Sequence, residues 1–182
     1  KRQLLIYICK SLMVRGRGTK SPFFMEESKI IENTVKGTIN SNCDLFLIDF
    51  KIENEKINVT IDGDRGVSIK DCAGISREIE FILSKNNLNF AINVSSFGTS
   101  SPLVNLRQFK KNIGRELDIF TKNNDKIVGK LISLNKDSII LEWSERVPKI
   151  VGKGKRTVKF YKELDIKDIK KAIVKINYSY GK

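Results

Sequence analysis

The sequence predicts an α+β protein: an N-terminal α/β domain, a three-stranded sheet with two helices, followed by a C-terminal small β-barrel. Three observations predict it. Between residues 26 and 97, apolar stripes at helical spacing alternate with short β-branched and aromatic runs, in the order helix, strand, strand, helix, strand. From Arg115 onward five short strand-like runs follow at close spacing. The net charge of +13 is unevenly spread, and the unevenness tracks the same division.

The elements follow in order. Residues 26–40 read as a helix because Ile31, Val35 and Ile39 recur every four residues, with Glu26 and Glu27 where the helix dipole favours acids. The runs 45–52 and 56–62 read as strands joined through Glu53-Asn54-Glu55. Asp62-Gly63-Asp64-Arg65-Gly66 is a loop by composition. Ser68-Ile69-Lys70-Asp71 has the spacing of a capping box, with Asp in place of Glu, and opens a helix carrying Cys72, Ile75, Ile79, Ile82 and Leu83 on one stripe. Asn86-Asn87 ends it, and 90–97 is a third strand. A turn-rich stretch (98–102) and a short helix around 105–112 lead to a domain boundary expected near 110–114. The barrel strands are read at 117–120, 127–134, 138–143, 157–161 and 171–178.

The domains are accordingly 25–110 and 111–182, with 1–24 as an extension. Residues 1–24 carry six basic residues and no acid, and Met25 opens the first clean amphipathic segment. The stretch is expected to be disordered or non-native and is left out of the fold; the alternative is a basic arm that orders on RNA. Its short apolar run, Leu4 to Cys9, is a weak signal peptide.

Residues 25–110 hold ten basic and twelve acidic residues, a net −2; residues 111–182 hold eighteen and nine, a net +9. Such asymmetry suggests that one half contacts nucleic acid and the other does something else. The basic excess peaks in the segment 146–159, where Arg146, Lys149, Lys153, Lys155, Arg156 and Lys159 occur without an acid and Gly152 and Gly154 mark a turn. A basic, glycine-containing hairpin brings both backbone and cations close to a polyanion, so these six residues are the candidate RNA-binding set.

Several chemistries are excluded or disfavoured. There is no histidine, which removes the commonest general base, proton shuttle and metal ligand. Cys9, Cys43 and Cys72 are scattered and odd in number, so neither a zinc site nor a disulfide framework is expected, and a reduced, cytoplasmic compartment fits best. No segment reaches the ~20 apolar residues of a membrane span. Asp62, Asp64 and Gly66 begin like a calcium loop, but Val67 stands at the sixth position and Ala73 at the twelfth. The run Gly152-Lys153-Gly154-Lys155 lacks the Ser or Thr that a phosphate loop needs after its Lys. A metal-dependent nuclease built on Asp49, Asp62 and Asp64 would need alternate carboxylates on one strand face, and nothing in the sequence demands it. No catalytic residue, metal ligand or cofactor is assigned.

Among the aromatic residues, Phe46, Phe50, Phe90 and Phe120 sit in strand patterns and are expected in the core. Phe160 is expected in the core as well; Trp143 is left open between a core role and base stacking.

A set of short motifs resembles the bacterial ribosome maturation factor RimP family. They are Val59-Thr60-Ile61-Asp62, then Gly66-Val67-Ser68-Ile69-Lys70-Asp71-Cys72 with Ser76-Arg77, then Val94-Ser95-Ser96 and Gly98, Pro102-Leu103, Phe109, and Ile113-Gly114-Arg115-Glu116. Glu142-Trp143 through Pro148-Lys149 to Gly152-Lys153-Gly154-Lys155 resembles a lineage variant of that family. The likeness covers the chain from near Met25 onward. This chain departs from the family at Phe97, where Pro is usual, and at Ser100-Ser101, where an Asp and then an Arg precede Pro-Leu.

The resemblance implies that the barrel is SH3-like. It also implies a non-catalytic factor assisting assembly of the small (30S) ribosomal subunit, binding the immature particle through rRNA and a small-subunit ribosomal protein, as a monomer without membrane contact. Asp62, Asp64 and Asp71 are the candidate contacts to the basic ribosomal protein. The competing expectation is an SH3-like protein-interaction module that binds an acidic partner without RNA.

Overall fold

The computed structural model describes residues 22–53, 56–149 and 153–176. The expectations for residues 1–21, for the Asn54-Glu55 link, for Gly152 and for the end of the last strand at Tyr178 lie outside the described residues. Helix α1 (Pro22–Asn40) starts four residues before the apolar stripe suggests, and so includes the last residues of the stretch expected to lie outside the fold. Proline is well suited to the first helical position, because the N–H it lacks would have no partner there.

Residues up to Phe97 form one compact unit. Strands β1 (Leu45–Glu53) and β2 (Lys56–Gly63) pair antiparallel, with an irregularity at Ile48 between Leu47 and Asp49. Helix α2 (Ile69–Lys85) is the crossover that lets β3 (Ala91–Ser96) run parallel to β2. Alternation along β2 sends Ile57, Val59 and Ile61 into the core, where they meet Ile31, Val35 and Ile39 of α1 and Ile75, Ile79 and Leu83 of α2. Phe46 is buried, and Phe50 and Phe90 pack against this core, as expected. On the opposite sheet face the Asn93 side chain donates to Asn58 Oδ1 at 3.2 Å.

The second unit begins at Gly98. Helix α3 (Leu106–Lys111), which the sequence reading placed before the boundary, belongs to this unit because Phe109 is buried among its strands. Five strands follow: β4 (Glu116–Thr121), β5 (Lys126–Leu134), β6 (Ser138–Pro148), β7 (Lys155–Asp165) and, after a 3-10 turn, β8 (Ile169–Val174). They form one antiparallel sheet in the order β7-β6-β5-β4-β8. Leu117, Ile119, Leu131, Ile139 and Leu141 are fully buried at its centre. The α+β class and the small C-terminal β domain stand as expected. The ladder that would close a barrel, between β7 and β8, is absent among the described residues. The chain passes between these strands in a three-residue turn, and β8 spends its pairing on β4.

Candidate nucleic-acid interface

Strands β6 and β7 pair along eleven residues each, from Ser138↔Asp165 to Pro148↔Lys155. Strand β5 accompanies β6 only as far as Lys130↔Glu142. Beyond that point Trp143–Pro148 and Lys155–Phe160 form a two-stranded arm about 20 Å long, at the ~3.4 Å per residue of antiparallel strands. Lys149 N–H donates to Gly154 O at 3.0 Å at the tip, and Gly154 has φ of +121°, a conformation that favours glycine.

Side chains alternate across such an arm, so register decides which cations share a face. Arg146, Lys155 and Lys159 lie on one face with Ser144, Thr157 and Tyr161. Arg156 lies on the other with Trp143, Glu145, Val147, Val158 and Phe160. Lys149 and Lys153 stand at the tip. The six expected RNA-binding residues are thus all on one arm, but they divide between two faces and the tip.

Five of them are exposed and enter no ion pair among the described residues: Arg146, Lys149, Lys153, Lys155 and Arg156. Lys159 differs. Its Nζ donates to Glu142 Oε1 at 3.2 Å, which holds the ammonium pKa above its ordinary value. The Tyr161 hydroxyl, and after it the Lys159 ammonium, holds the Glu142 carboxyl below the usual range. Of two neighbours of the cationic face, Lys130 carries no signal in the sequence, whereas Tyr161 stands beside the basic segment in it. Lys130 is paired across from Glu142, and Tyr161 is 60% exposed. Nothing short of the β5–β6–β7 register places them there.

Phe160 is not in the core, contrary to expectation. Neither it nor Trp143 belongs to the buried cluster of its unit; both lie beyond Glu142, where the pairing of β6 with β5 stops. The two rings pack on each other instead, with centroids 5.9 Å apart and planes at 22°. Trp143 Nε1–H donates to Glu145 Oε1 at 2.8 Å.

The three acids expected to meet a protein partner are not brought together. Asp62 is 4% exposed, and its Oδ1 accepts from Gly63 N–H at 2.8 Å. It supports a tight turn in which a Cβ on Gly63 would lie 2.5 Å from Gly66 O. Burial leaves little of Asp62 for a docking face. Asp71 is the N3 residue of α2, joined to Ser68 in a reciprocal capping box: the Ser68 backbone N–H donates to it at 2.8 Å and the Ser68 hydroxyl at 2.7 Å. These two bonds pull its pKa below the usual value. Asp64 is exposed, and its backbone N–H donates to Asp44 O. Asp44 in turn pairs with Arg65, and both line a surface hollow with Ser68 and Asp71. Burial, and after it the charge of Asp71, raises the Cys72 thiol pKa, which keeps it protonated. Among the described residues no group of three or more acids or cysteines is placed to hold a metal ion, so Asp49, Asp62 and Asp64 do not converge.

Comparison with known proteins adds the following. A family profile described as the RimP N-terminal domain matches residues 30–100. A protein of Christiangramia forsetii named ribosome maturation factor RimP is 42% identical over 149 residues, covering 81% of this chain and 97% of its own length. One of the same name from Flavobacterium psychrophilum is 45% identical over 131 residues, 71% of this chain and 84% of its own. A third, from Porphyromonas gingivalis, is 31% identical over 134 residues, 73% of this chain and 88% of its own.

Proposed function

Since this chain belongs to the ribosome maturation factor RimP family, we propose that it is a non-catalytic assembly factor for the small (30S) ribosomal subunit, binding the immature particle through rRNA and a small-subunit ribosomal protein. The observation that carries the RNA half is the β6–β7 arm, where five exposed cations have no acidic partner among the described residues. A cation with no acid to leave can neutralise a phosphate directly and displace a counterion condensed on the RNA. Arg146, Lys149, Lys153, Lys155 and Arg156 hold backbone phosphates, and Lys159 adds to them when it leaves Glu142. In the first unit, Asp64 and Asp71 are the exposed carboxylates that meet a basic ribosomal protein.

A binder of this kind favours one arrangement of the particle only through its different affinity for the alternatives. The two contacts, one to RNA and one to protein, supply that difference when only one arrangement presents both. The protein acts as a monomer in the cytoplasm. Among the described residues no helix is long and apolar enough to cross a membrane.

The test is gradient sedimentation of a cell extract at low and graded salt. The protein is expected to co-migrate with free small subunits and not with complete ribosomes. Absence from the small-subunit fraction at low ionic strength overturns the assignment. Ribonuclease treatment then separates the two contacts: retention of a ribosomal protein after digestion locates a protein-first interaction, and retention of an acidic protein favours the interaction-module reading.

A further inference from the structure

We infer that the Trp143–Phe160 pair is a stacking platform for unpaired bases, so that the arm's ligand is a single-stranded RNA segment; this rests on the reading of the arm as an RNA-binding surface. The aromatic face continues outward from the core face of β6. Leu141 is completely buried, and Trp143, two residues on, points the same way. The β5–β6 ladder stops at Lys130↔Glu142, so no third strand pairs beside Trp143 among the described residues, and both rings are partly exposed.

The pair is also held in place. Each ring stacks on the other at 5.9 Å, and the Trp143 N–H is spent on Glu145. What remains for a ligand is π surface. A preorganised ring loses little freedom when a base stacks on it, and every base has a face to offer, so such a platform is indifferent to sequence.

Charge selects the occupant. The segment 146–159 holds six basic residues and no acid, and Arg156 places a cation on the aromatic face beside Glu145. A basic ribosomal protein is repelled from such a surface. Duplex RNA brings phosphates, but its base faces are covered by stacking. Single-stranded RNA brings phosphates and uncovered bases together. On this arm the two kinds of group sit on opposite faces of a two-stranded ribbon, so a strand that curls around the arm's edge places its backbone toward Arg146 and Lys155 and its bases toward Trp143 and Phe160.

Trp143 is the sole tryptophan of the chain, and its emission reports the platform directly. The full chain is titrated with three ligands of equal length, about twelve nucleotides: oligoadenylate, an abasic ribose-phosphate oligomer, and duplex RNA. Oligoadenylate is expected to quench the emission and to bind about tenfold more tightly than the abasic oligomer. The double variant Trp143→Ala/Phe160→Ala is expected to lose that preference while keeping its affinity for the abasic oligomer. Phe160→Leu, a milder change with circular dichroism as the check on folding, is expected to lose part of it. Equal affinity for the base-bearing and abasic strands, unquenched emission at saturation, or an unchanged preference in the folded double variant overturns the platform. If all three ligands bind alike, the arm remains an RNA surface and only the platform is lost. If none binds at low salt, the RNA-binding reading fails, and the platform with it.

Discussion

The two units treat charge in opposite ways. In the first, acids that look available in the sequence are engaged in the fold: Asp62 is buried in a turn, Asp71 caps α2, and Asp44 pairs with Arg65. In the second, most cations of the β6–β7 arm are exposed and have no acidic partner among the described residues. A near-zero net charge and a strongly positive one thus differ in more than sign. The named acids of the first unit maintain its own structure, whereas the arm's cations are available to a partner; elsewhere in the second unit Lys126 pairs with Asp118 and Lys175 with Glu116. Counting charges along a sequence cannot make that distinction, because it depends on what each side chain faces.

The largest effect expected from this contrast is on RNA. Replacing Lys153, Lys155 and Arg156 by Glu reverses three charges on an arm outside both cores. Affinity for the small-subunit particle is expected to fall at least a hundredfold, or ~2.7 kcal/mol. The logarithm of affinity for the unmodified chain should fall against the logarithm of salt with a slope near −3 if about four phosphates are neutralised, and the variant should show almost none. Filter binding at graded salt measures both. Thermal stability should change by no more than ~0.5 kcal/mol, as is usual for exposed positions. Normal binding by the triple variant breaks the comparison outright.

The next effect falls on stability and in the other unit. Asp62→Ala removes a buried acceptor from Gly63 N–H, and urea unfolding should show a loss of ~1–3 kcal/mol. Asp64→Ala, at an exposed position one turn residue away, should be within ~0.5 kcal/mol of the parent. If instead Asp62→Ala leaves stability intact and weakens particle binding, the buried acid has a docking role and the division between the units is wrong.

A smaller effect tests the cap of α2. Ser68→Ala should cost ~1 kcal/mol. It should also change the acid limb of stability. Because the folded pKa of Asp71 lies below its unfolded value, its contribution is complete above the ordinary aspartate range, near 3.9, and is lost as pH falls through the depressed folded value. Removing the Ser68 hydroxyl takes away the smaller of its two hydrogen bonds and leaves the backbone one, so the acid-dependent part should shrink without vanishing. An acid limb identical to that of the parent would show that Asp71 is not held by Ser68 in solution.

What was legible in the sequence was local. The capping box needs only four consecutive residues, and Ser68 and Asp71 form it as spaced. The apolar stripe of α1 needs only its own periodicity, and Ile31, Val35 and Ile39 are all buried. Where pairing partners decide, the sequence was silent or misleading. Phe160 looks like a core residue in its own strand, yet it lies outside the core, on the stretch of the β6–β7 ladder beyond the point where the pairing of β6 with β5 stops. Arg156 follows Lys155 in sequence but faces away from it, since alternation across the ladder separates them. The start of α1 is an instructive miss: Pro22 was a legible helix-start signal, overshadowed by the lone basic composition of the residues before it.

The smallest effect probes a place on the arm where the second unit behaves like the first. Lys159 is the arm cation that has found an acid, Glu142. Glu142→Gln keeps an oxygen to accept from Tyr161 and Lys159 but removes the charge. If pairing is what withholds Lys159 from RNA, the salt slope should steepen by ~0.7–0.9, the contribution of one more phosphate, with affinity rising roughly two- to threefold. The gain is modest for a physical reason. The Lys159 side chain is 62% exposed, and ion pairs at such positions are weak and screened by salt, so a strong polyanion already competes with Glu142 for the ammonium. The companion variant, Lys159→Ala, makes the result decisive. An unchanged slope in Glu142→Gln together with a shallower slope in Lys159→Ala would mean that Lys159 holds phosphate despite its acid. Pairing in the unbound protein would then no longer distinguish available charge from committed charge, and exposure alone would be the better guide.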